Sequence, residues 1–153
     1  MTYAEFQRSL LWEVAASLPT PDEWAYLCGG GCRTLFPWGD GLDYSMHLHH
    51  FESEEDQGKP YDMEQPNFFG LSIAYDPYTR ELVDGKTLTT CGGDGGCNVC
   101  GGMGPLLGYL PCSPHCKPEV REDNEIHNDY DFFRPVIRVQ TSGWRIVSPE
   151  NER

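Results

Sequence analysis

Hydrophobic positions near the start of the chain recur at helical spacing. One stripe consists of Tyr3, Phe6, Leu10 and Val14. It predicts a helix over residues 3–17, which Pro19 ends. Thr2 and Glu5 have the spacing of a capping box, in which each side chain accepts a backbone N–H of the first turn.

A second helix start follows directly. Thr20 and Glu23 form another capping box, and Pro21 occupies the first helical position, where its missing N–H costs nothing. Trp24, Leu27 and Cys28 share the predicted inward face. Residues 29–31 are all glycine, which predicts the end of this short helix.

Beyond Cys32 the helical period disappears, and short alternating segments predict strands. The predicted strands cover residues 44–48, 71–75, 81–83, 87–89, 135–140 and 144–147. Asp76-Pro77 and Asp84-Gly85 predict turns, the second of them within a hairpin. The polar, acidic segments 52–65 and 117–131 predict loops. The pattern therefore predicts one α+β domain over residues 1–153, with two N-terminal helices and a small, mainly antiparallel sheet with long loops.

Charge excludes some classes of partner. The net charge of −13 and the pI of about 4.6 repel DNA and RNA, so no nucleic-acid partner is expected. No run of 18 apolar residues occurs, so we expect no membrane span or membrane partner. No signal peptide is visible, which favours a cytoplasmic protein. The acidic surface suits a protein partner with a basic patch, or cations, or serves solubility alone.

Three short blocks carry a resemblance to a known family. They are LPTPDEW (18–24), FPWGDG (36–41) and PNFFGL (66–71), and their order and spacing are similar to those of the sulfatase-modifying-factor (formylglycine-generating enzyme) family. The resemblance covers roughly residues 4–95 and implies a C-type-lectin-like fold. That fold supports copper-dependent enzymes as well as domains that only bind.

The chain departs from this family where the family's chemistry lies. The family's N-terminal portion has no counterpart, and residues 72–78 replace the GNVWEW motif that accompanies its calcium site. The family's catalytic cysteines are four residues apart, whereas Cys97 and Cys100 have two residues between them. The resemblance therefore implies the scaffold. A thiol-dependent copper oxidase with Cys97 and Cys100 as catalytic copper ligands is the alternative that it suggests.

Five of the seven cysteines lie within residues 91–116. Cys97-x-x-Cys100 followed by Cys112-x-x-x-Cys116 resembles a four-thiolate zinc site, because a turn brings two such sulfurs to one side. His115 is the candidate substitute for one thiolate.

Other interpretations of these cysteines are open. The thiols could be free, on a Gly-rich loop around a buried strand over residues 106–110. They could also form disulfides or a reactive redox pair. The glycines of 92–96 lack the Lys of a phosphate-binding loop and indicate a turn in which the backbone passes close to another element, with Asp94 bonding locally.

A second candidate metal site lies on the predicted strand over 44–48 and just after it. Its residues are His47, His49 and His50, followed by Glu52, Glu54, Glu55 and Asp56. His47 and His49 share one face of a strand, which can place two imidazoles on one metal ion. An exposed strand end with a solvated acidic loop is the other interpretation.

The sequence therefore predicts a non-catalytic domain that recognises a protein partner with a basic patch through the long Gly/Cys-rich and acidic loop region 91–131. A structural zinc is the cofactor predicted to stiffen that region, and copper belongs to the alternative. Oligomeric state does not follow from the sequence.

Overall fold

A computed structural model of the chain describes residues 1–42 and 63–139. In chain order its elements are α1 (Tyr3–Val14), α2 (Pro21–Gly29), β1 (Arg80–Val83), β2 (Thr89–Gly92), α3 (Cys97–Cys100), α4 (Pro105–Tyr109), a 3₁₀ turn (Leu110–Cys112), β3 (Glu119–Val120) and β4 (Asp131–Phe133). The four strands form one sheet in the order β3-β2-β1-β4. Only the β1–β4 pairing is parallel, so the described residues confirm an α+β domain with a mainly antiparallel sheet.

Helix α1 begins as predicted and ends earlier. Both hydrogen bonds of the capping box between Thr2 and Glu5 are present. The helix stops at Val14 because Ala15 adopts a left-handed backbone conformation with φ of 53°. The next segment is extended, and Ser17 pairs through its backbone with Val136. The prediction that Pro19 ends this helix was wrong by one turn.

Helix α2 follows its predicted bounds closely. The reciprocal capping bonds of Thr20 and Glu23 are formed, and Gly30 closes the helix with φ of 54°. Trp24 is buried, and its indole Nε1 donates a hydrogen bond of 3.0 Å to Glu81 in β1. This bond fixes the helix against the sheet.

The core has two parts because side chains alternate across a strand. Leu82 of β1 packs in a cluster with Tyr3 and Leu10 of α1. Its neighbour Val83 belongs to a larger cluster that includes Trp24 of α2. The two helices therefore cover opposite faces of the sheet.

The turn around Trp38 packs its aromatic rings into the larger cluster. Phe36 and Gly39 exchange two backbone hydrogen bonds, of 3.0 and 3.1 Å. The Trp38 ring stacks on Phe36 with 4.7 Å between centroids and meets the edge of Tyr109. The turn therefore places Trp38 in the core.

The region of 71–75 is not a strand. Gly70 and Ala74 both have positive φ angles, of 74° and 54°, and these interrupt the extended conformation that the alternating pattern predicted. Ile73 and Ala74 are nevertheless buried in the larger cluster.

The predicted hairpin is present with a longer turn. β1 pairs with β2 antiparallel, Val83 lying opposite Thr89, so the second strand begins at Thr89 rather than Thr87. In the described part of the predicted strand over 135–140, the pairing is the single bridge of Val136 with Ser17, and β4 lies before this segment. The predicted strands over 44–48 and 144–147 lie outside the described residues, as does most of the predicted loop 52–65.

A buried ionic cluster anchors the segment predicted as an acidic loop over 117–131. Asp131 accepts two hydrogen bonds from Arg121, of 3.0 and 2.7 Å, and lies 2.9 Å from Arg80 Nε. Arg121 also binds Asp123, which lowers the pKa of that carboxyl. β3 lies within this segment and pairs with β2, so the segment is held to the sheet. No helix in the described ranges is long and apolar enough to cross a membrane.

Candidate functional site

The Gly-rich segment after β2 lies against the turn at Pro77. Gly93 donates its backbone N–H to the carbonyl of Thr79, and a Cβ at Gly93 would overlap the backbone of Pro77. A Cβ at Gly96 would overlap the ring of Tyr78. These glycines permit a close backbone approach, which confirms that interpretation of the 92–96 segment.

Asp94 leads this segment into α3. Its Oδ2 accepts hydrogen bonds from the backbone N–H of Asn98, at 3.1 Å, and from the Asn98 side chain, at 2.7 Å. The local bonding predicted for Asp94 is therefore present. It sets the single turn of α3, on which Cys97 and Cys100 stand.

Cys97 and Cys100 are the two exposed cysteines of the chain. Their spacing of three residues places both on the same side of the helical turn. The hydroxyl of Tyr78 lies 3.7 Å from Sγ of Cys100, within hydrogen-bond distance for sulfur. The turn thus presents a pair of thiols at the surface.

Cys112 and Cys28 lie in the core. Both are fully buried, and Cys28 Sγ lies 3.8 Å from the backbone carbonyl of Cys112. Burial raises the pKa of both thiols well above the ordinary value, so both remain protonated and unreactive in the folded protein.

Cys91 and Cys116 line a cavity of about 300 Å³ together with Trp24 and Cys97. Cys91 is buried, and desolvation raises the pKa of its thiol to about 12. Cys116 is half-buried. The cavity is therefore lined by Cys91, Cys97 and Cys116. Cys100 and Cys112 are not among the residues that line it.

The four predicted zinc ligands are thus divided between surface, cavity and core. His115, the predicted substitute, is exposed, and its Nε2 lies 3.3 Å from the carbonyl of Thr34. Among residues 1–42 and 63–139, no three His, Cys, Asp or Glu side chains are arranged to hold a metal ion. The described arrangement does not bring the four predicted thiol ligands together, and zinc and copper binding stay predictions. The candidate site at His47, His49 and His50 lies outside the described residues.

The interpretation of 106–110 as a buried strand was wrong. The segment forms α4 and the start of the 3₁₀ turn, because Pro105 can begin a helix and Gly108 fits tightly against Val99 of α3. Only Gly108 and Tyr109 of α4 are buried. Its other face points outward.

That outward face is apolar. Four large side chains are between 36% and 58% exposed. They are Met103, Leu106, Leu107 and Leu110. Leu106, Leu107 and Leu110 have the spacing of one side of a helix, and Met103 precedes them in sequence; we call these four side chains the α4 stripe.

The α4 stripe lies in a part of the sequence without formal charge. No Asp, Glu, Lys or Arg occurs from residue 95 to residue 116, although the whole chain has 24 acidic and 11 basic residues. Asp94 precedes this interval, and Glu119 and Glu122 follow it. The sequence predicted residues 91–131 as the contact region but did not single out this stripe, because one interpretation placed Leu106 and Leu107 in a buried strand. The charge-free interval was the signal that could have indicated a surface.

A smaller aromatic group is also exposed. The ring of Tyr26, on α2, lies 5.1 Å from that of Phe69, which in turn contacts Phe68. Phe68 is 89% exposed. Asp22 and Glu23 precede Tyr26 by about one helical turn, so this group, unlike the α4 stripe, has charged neighbours on its own helix.

Comparison with known proteins assigns no family. No protein-family model, no curated protein and no solved structure matches the chain. The similarity of the three sequence blocks to the sulfatase-modifying-factor family therefore stays a prediction.

Proposed function

We propose that this chain is a protein-interaction domain that binds its partner through the α4 stripe and the loops around it. The observation that supports this proposal is an exposed apolar helix face within a charge-free interval of a strongly acidic chain. Monomeric proteins rarely expose contiguous apolar patches larger than a few hundred Å², and larger patches mark interaction sites. The cores of protein interfaces are likewise depleted in charge.

The chemistry of the partner is inferred from the charges that flank this interval in sequence. Asp94 precedes it, Glu119 and Glu122 follow it, and the chain carries a net charge of −13. Lys117 is the one basic side chain next to it in sequence. The complementary surface has an apolar centre and basic residues around it, because opposite rim charges accelerate encounter and reject acidic competitors.

The resemblance to the sulfatase-modifying-factor family supports this proposal at the level of the scaffold. In this chain the three blocks supply a helix cap at Thr20, a core Trp at position 38 and a bonding Asn at position 67. All three serve folding. A C-type-lectin-like scaffold that binds rather than catalyses is part of the proposal.

Selection from a displayed peptide library on the immobilised protein tests the binding function. We expect the selected peptides to combine large apolar residues with flanking Lys or Arg. Leu106→Glu is expected to weaken their binding about tenfold or more, because it places a charge in the centre of the apolar surface.

The matched control is Leu11→Glu on α1, where the leucine is 64% exposed. It adds the same charge to the chain on another element and should leave peptide binding unchanged. Peptides that bind Leu106→Glu as tightly as the wild type would contradict the proposal. So would peptides that lose binding only with Phe68→Ser, since they would place the contact on the aromatic group.

Salt separates the two contributions to binding. Rim charges should give an association rate that falls as ionic strength rises, whereas the apolar contact should be little affected. Tight binding whose association rate does not change with salt would show that the basic rim of the partner was wrongly inferred.

A further inference from the structure

The two exposed thiols of the chain stand on one helical turn that contains little else. α3 consists of Cys97, Asn98, Val99 and Cys100, and it lies between two glycines on each side. The backbone N–H of Gly101 bonds to the carbonyl of Cys97 at 2.9 Å. Gly108 packs against Val99 of this turn, whereas both cysteines are exposed.

Closing a disulfide between these thiols needs only a small movement. Residues three apart on a helix have Cβ atoms about 5–6 Å apart. A disulfide needs a Cβ separation of about 3.5–4.5 Å. The approach of about 1.5 Å is within reach of a single helical turn flanked by glycines.

Three of the five other thiols are poor competitors, and the remaining two, Cys32 and Cys116, are less exposed than Cys97 and Cys100. Cys28 and Cys112 are fully buried in the core. Cys91 is also buried, and its thiol has a pKa raised to about 12. Since the thiolate is the reactive form, exposure and spacing select Cys97 and Cys100.

The surroundings of the pair differ for its two members. Cys97 lines the cavity of about 300 Å³, which is at the lower end of the size of small-molecule sites. Cys100 has the hydroxyl of Tyr78 at 3.7 Å, and this hydroxyl can donate a hydrogen bond to a Cys100 thiolate. Cys97 is thus placed to react with a small molecule in the cavity, and Cys100 is placed to react afterwards with Cys97.

We propose that Cys97 and Cys100 are a redox-active dithiol that reduces low-molecular-weight disulfides by exchange. The Cys97 thiolate attacks one sulfur of R–S–S–R. The S–S bond of the small molecule breaks, a mixed disulfide forms on Cys97, and the first RS⁻ leaves and takes up a proton. The Cys100 thiolate then attacks Sγ of Cys97, the mixed disulfide breaks, and the second RS⁻ leaves.

The exchange balances without a metal ion or any further reactant. Two electrons pass from the two cysteine sulfurs to the small disulfide. Two protons pass, through solvent, from the cysteine thiols to the two RSH products. The protein ends with a Cys97–Cys100 disulfide, and this chemistry does not depend on the binding function proposed for the α4 stripe.

Oxidised glutathione is the probe that tests this proposal. The fully reduced chain is incubated with it, the reaction is quenched with acid, and the digested protein is analysed by mass spectrometry. In the wild type we expect one internal disulfide between Cys97 and Cys100. In Cys100→Ser the resolving thiol is missing, so a stable mixed disulfide of Cys97 with glutathione should accumulate.

Cys32→Ser is the control, because Cys32 is half-buried and lies between α2 and the Trp38 turn. It should form the internal disulfide at the wild-type rate. The proposal is overturned if the wild type links Cys97 to Cys91 or Cys116 instead. It is equally overturned if the folded wild type gives no internal disulfide, or if Cys100→Ser traps no glutathione on Cys97.

Discussion

At the scale of single residues, Asn67 shows how one side chain can join distant segments. Its Nδ2 donates hydrogen bonds to the carbonyls of Leu27 and Cys28, at 2.6 and 3.2 Å. Its Oδ1 accepts from the backbone N–H groups of Phe69 and Leu71. One amide therefore satisfies the end of α2 and at the same time shapes the turn that carries Phe68 and Phe69.

Replacing Asn67 by alanine should destabilise the fold. Asn67→Ala removes four hydrogen bonds and leaves two helix-end carbonyls without their side-chain partner, so we expect a loss of about 2–3 kcal/mol in the free energy of unfolding. Urea unfolding measures it. Gln65→Ala, an exposed neighbour, is the control and should change the free energy by less than about 0.5 kcal/mol. Equal effects of the two variants would show that the hydrogen bonds of Asn67 make no net contribution to the free energy of unfolding.

At the scale of an element, α2 is stabilised by charge as well as by hydrogen bonds. Asp22 and Glu23 lie in its first turn, where negative charge interacts favourably with the helix N-terminus. The backbone N–H of Thr20, and then Arg138, lower the pKa of Glu23 below its ordinary value of 4.5. The ionised form of Glu23 is thus favoured by folding.

The stabilisation from Glu23 should depend on pH with a definite sign. Because the folded-state pKa is lowered, the contribution is fully present above 4.5 and is lost as the pH falls through the lowered value. Glu23→Gln keeps a side chain that can complete the capping box but has no charge. We expect it to be less stable than the wild type at neutral pH by up to about 1 kcal/mol, a small value because the group is exposed.

Acid provides the internal control for this comparison. Below the lowered pKa both side chains are neutral, so wild type and Glu23→Gln should have the same free energy of unfolding. Chemical denaturation at neutral and acid pH measures the difference. A difference that persists in acid would assign the effect to packing or hydrogen bonding rather than to charge.

At the scale of the whole molecule, the excess of acidic groups acts against the compact state. The chain has 24 acidic and 11 basic residues, and folding brings the surplus negative charges closer together. Some basic side chains already form ion pairs with buried or half-buried carboxylates. Arg121 and Arg80 bind Asp131, and Arg134 binds Glu81.

Salt should therefore stabilise the folded protein. Raising monovalent salt from about 0.01 M to about 0.15 M shortens the Debye length from about 30 Å to about 8 Å, which screens the surface repulsion more than the buried pairs. We expect the Tm to rise by a few degrees in thermal unfolding. Sodium and potassium chloride should act alike, and a Tm that falls with salt, or a rise with one cation alone, would contradict repulsion as the cause.

Local signals predicted a good part of the fold. The capping boxes at Thr2 and Thr20 and the glycines after α2 mark helix ends within a few residues, and the Asp84-Gly85 turn marks the hairpin. Two failures concern segments where apolar residues were taken to form strands. The left-handed backbone of Ala74 interrupts one of them, and at Leu106 the helix follows from Pro105 and from the contact of Gly108 with Val99.

For the candidate sites, too, some properties follow from the sequence and others only from the structure. The sequence by itself determined the spacing of Cys97 and Cys100, the absence of charge from 95 to 116 and the overall acidity, because these are properties of residue order. Only the tertiary structure decided that Cys112 is buried beside Cys28, 84 residues earlier in the chain, and that Leu106 faces outward. Burial is the sum of contacts with residues far apart in sequence, so exposure, and with it reactivity or binding, is set by the fold.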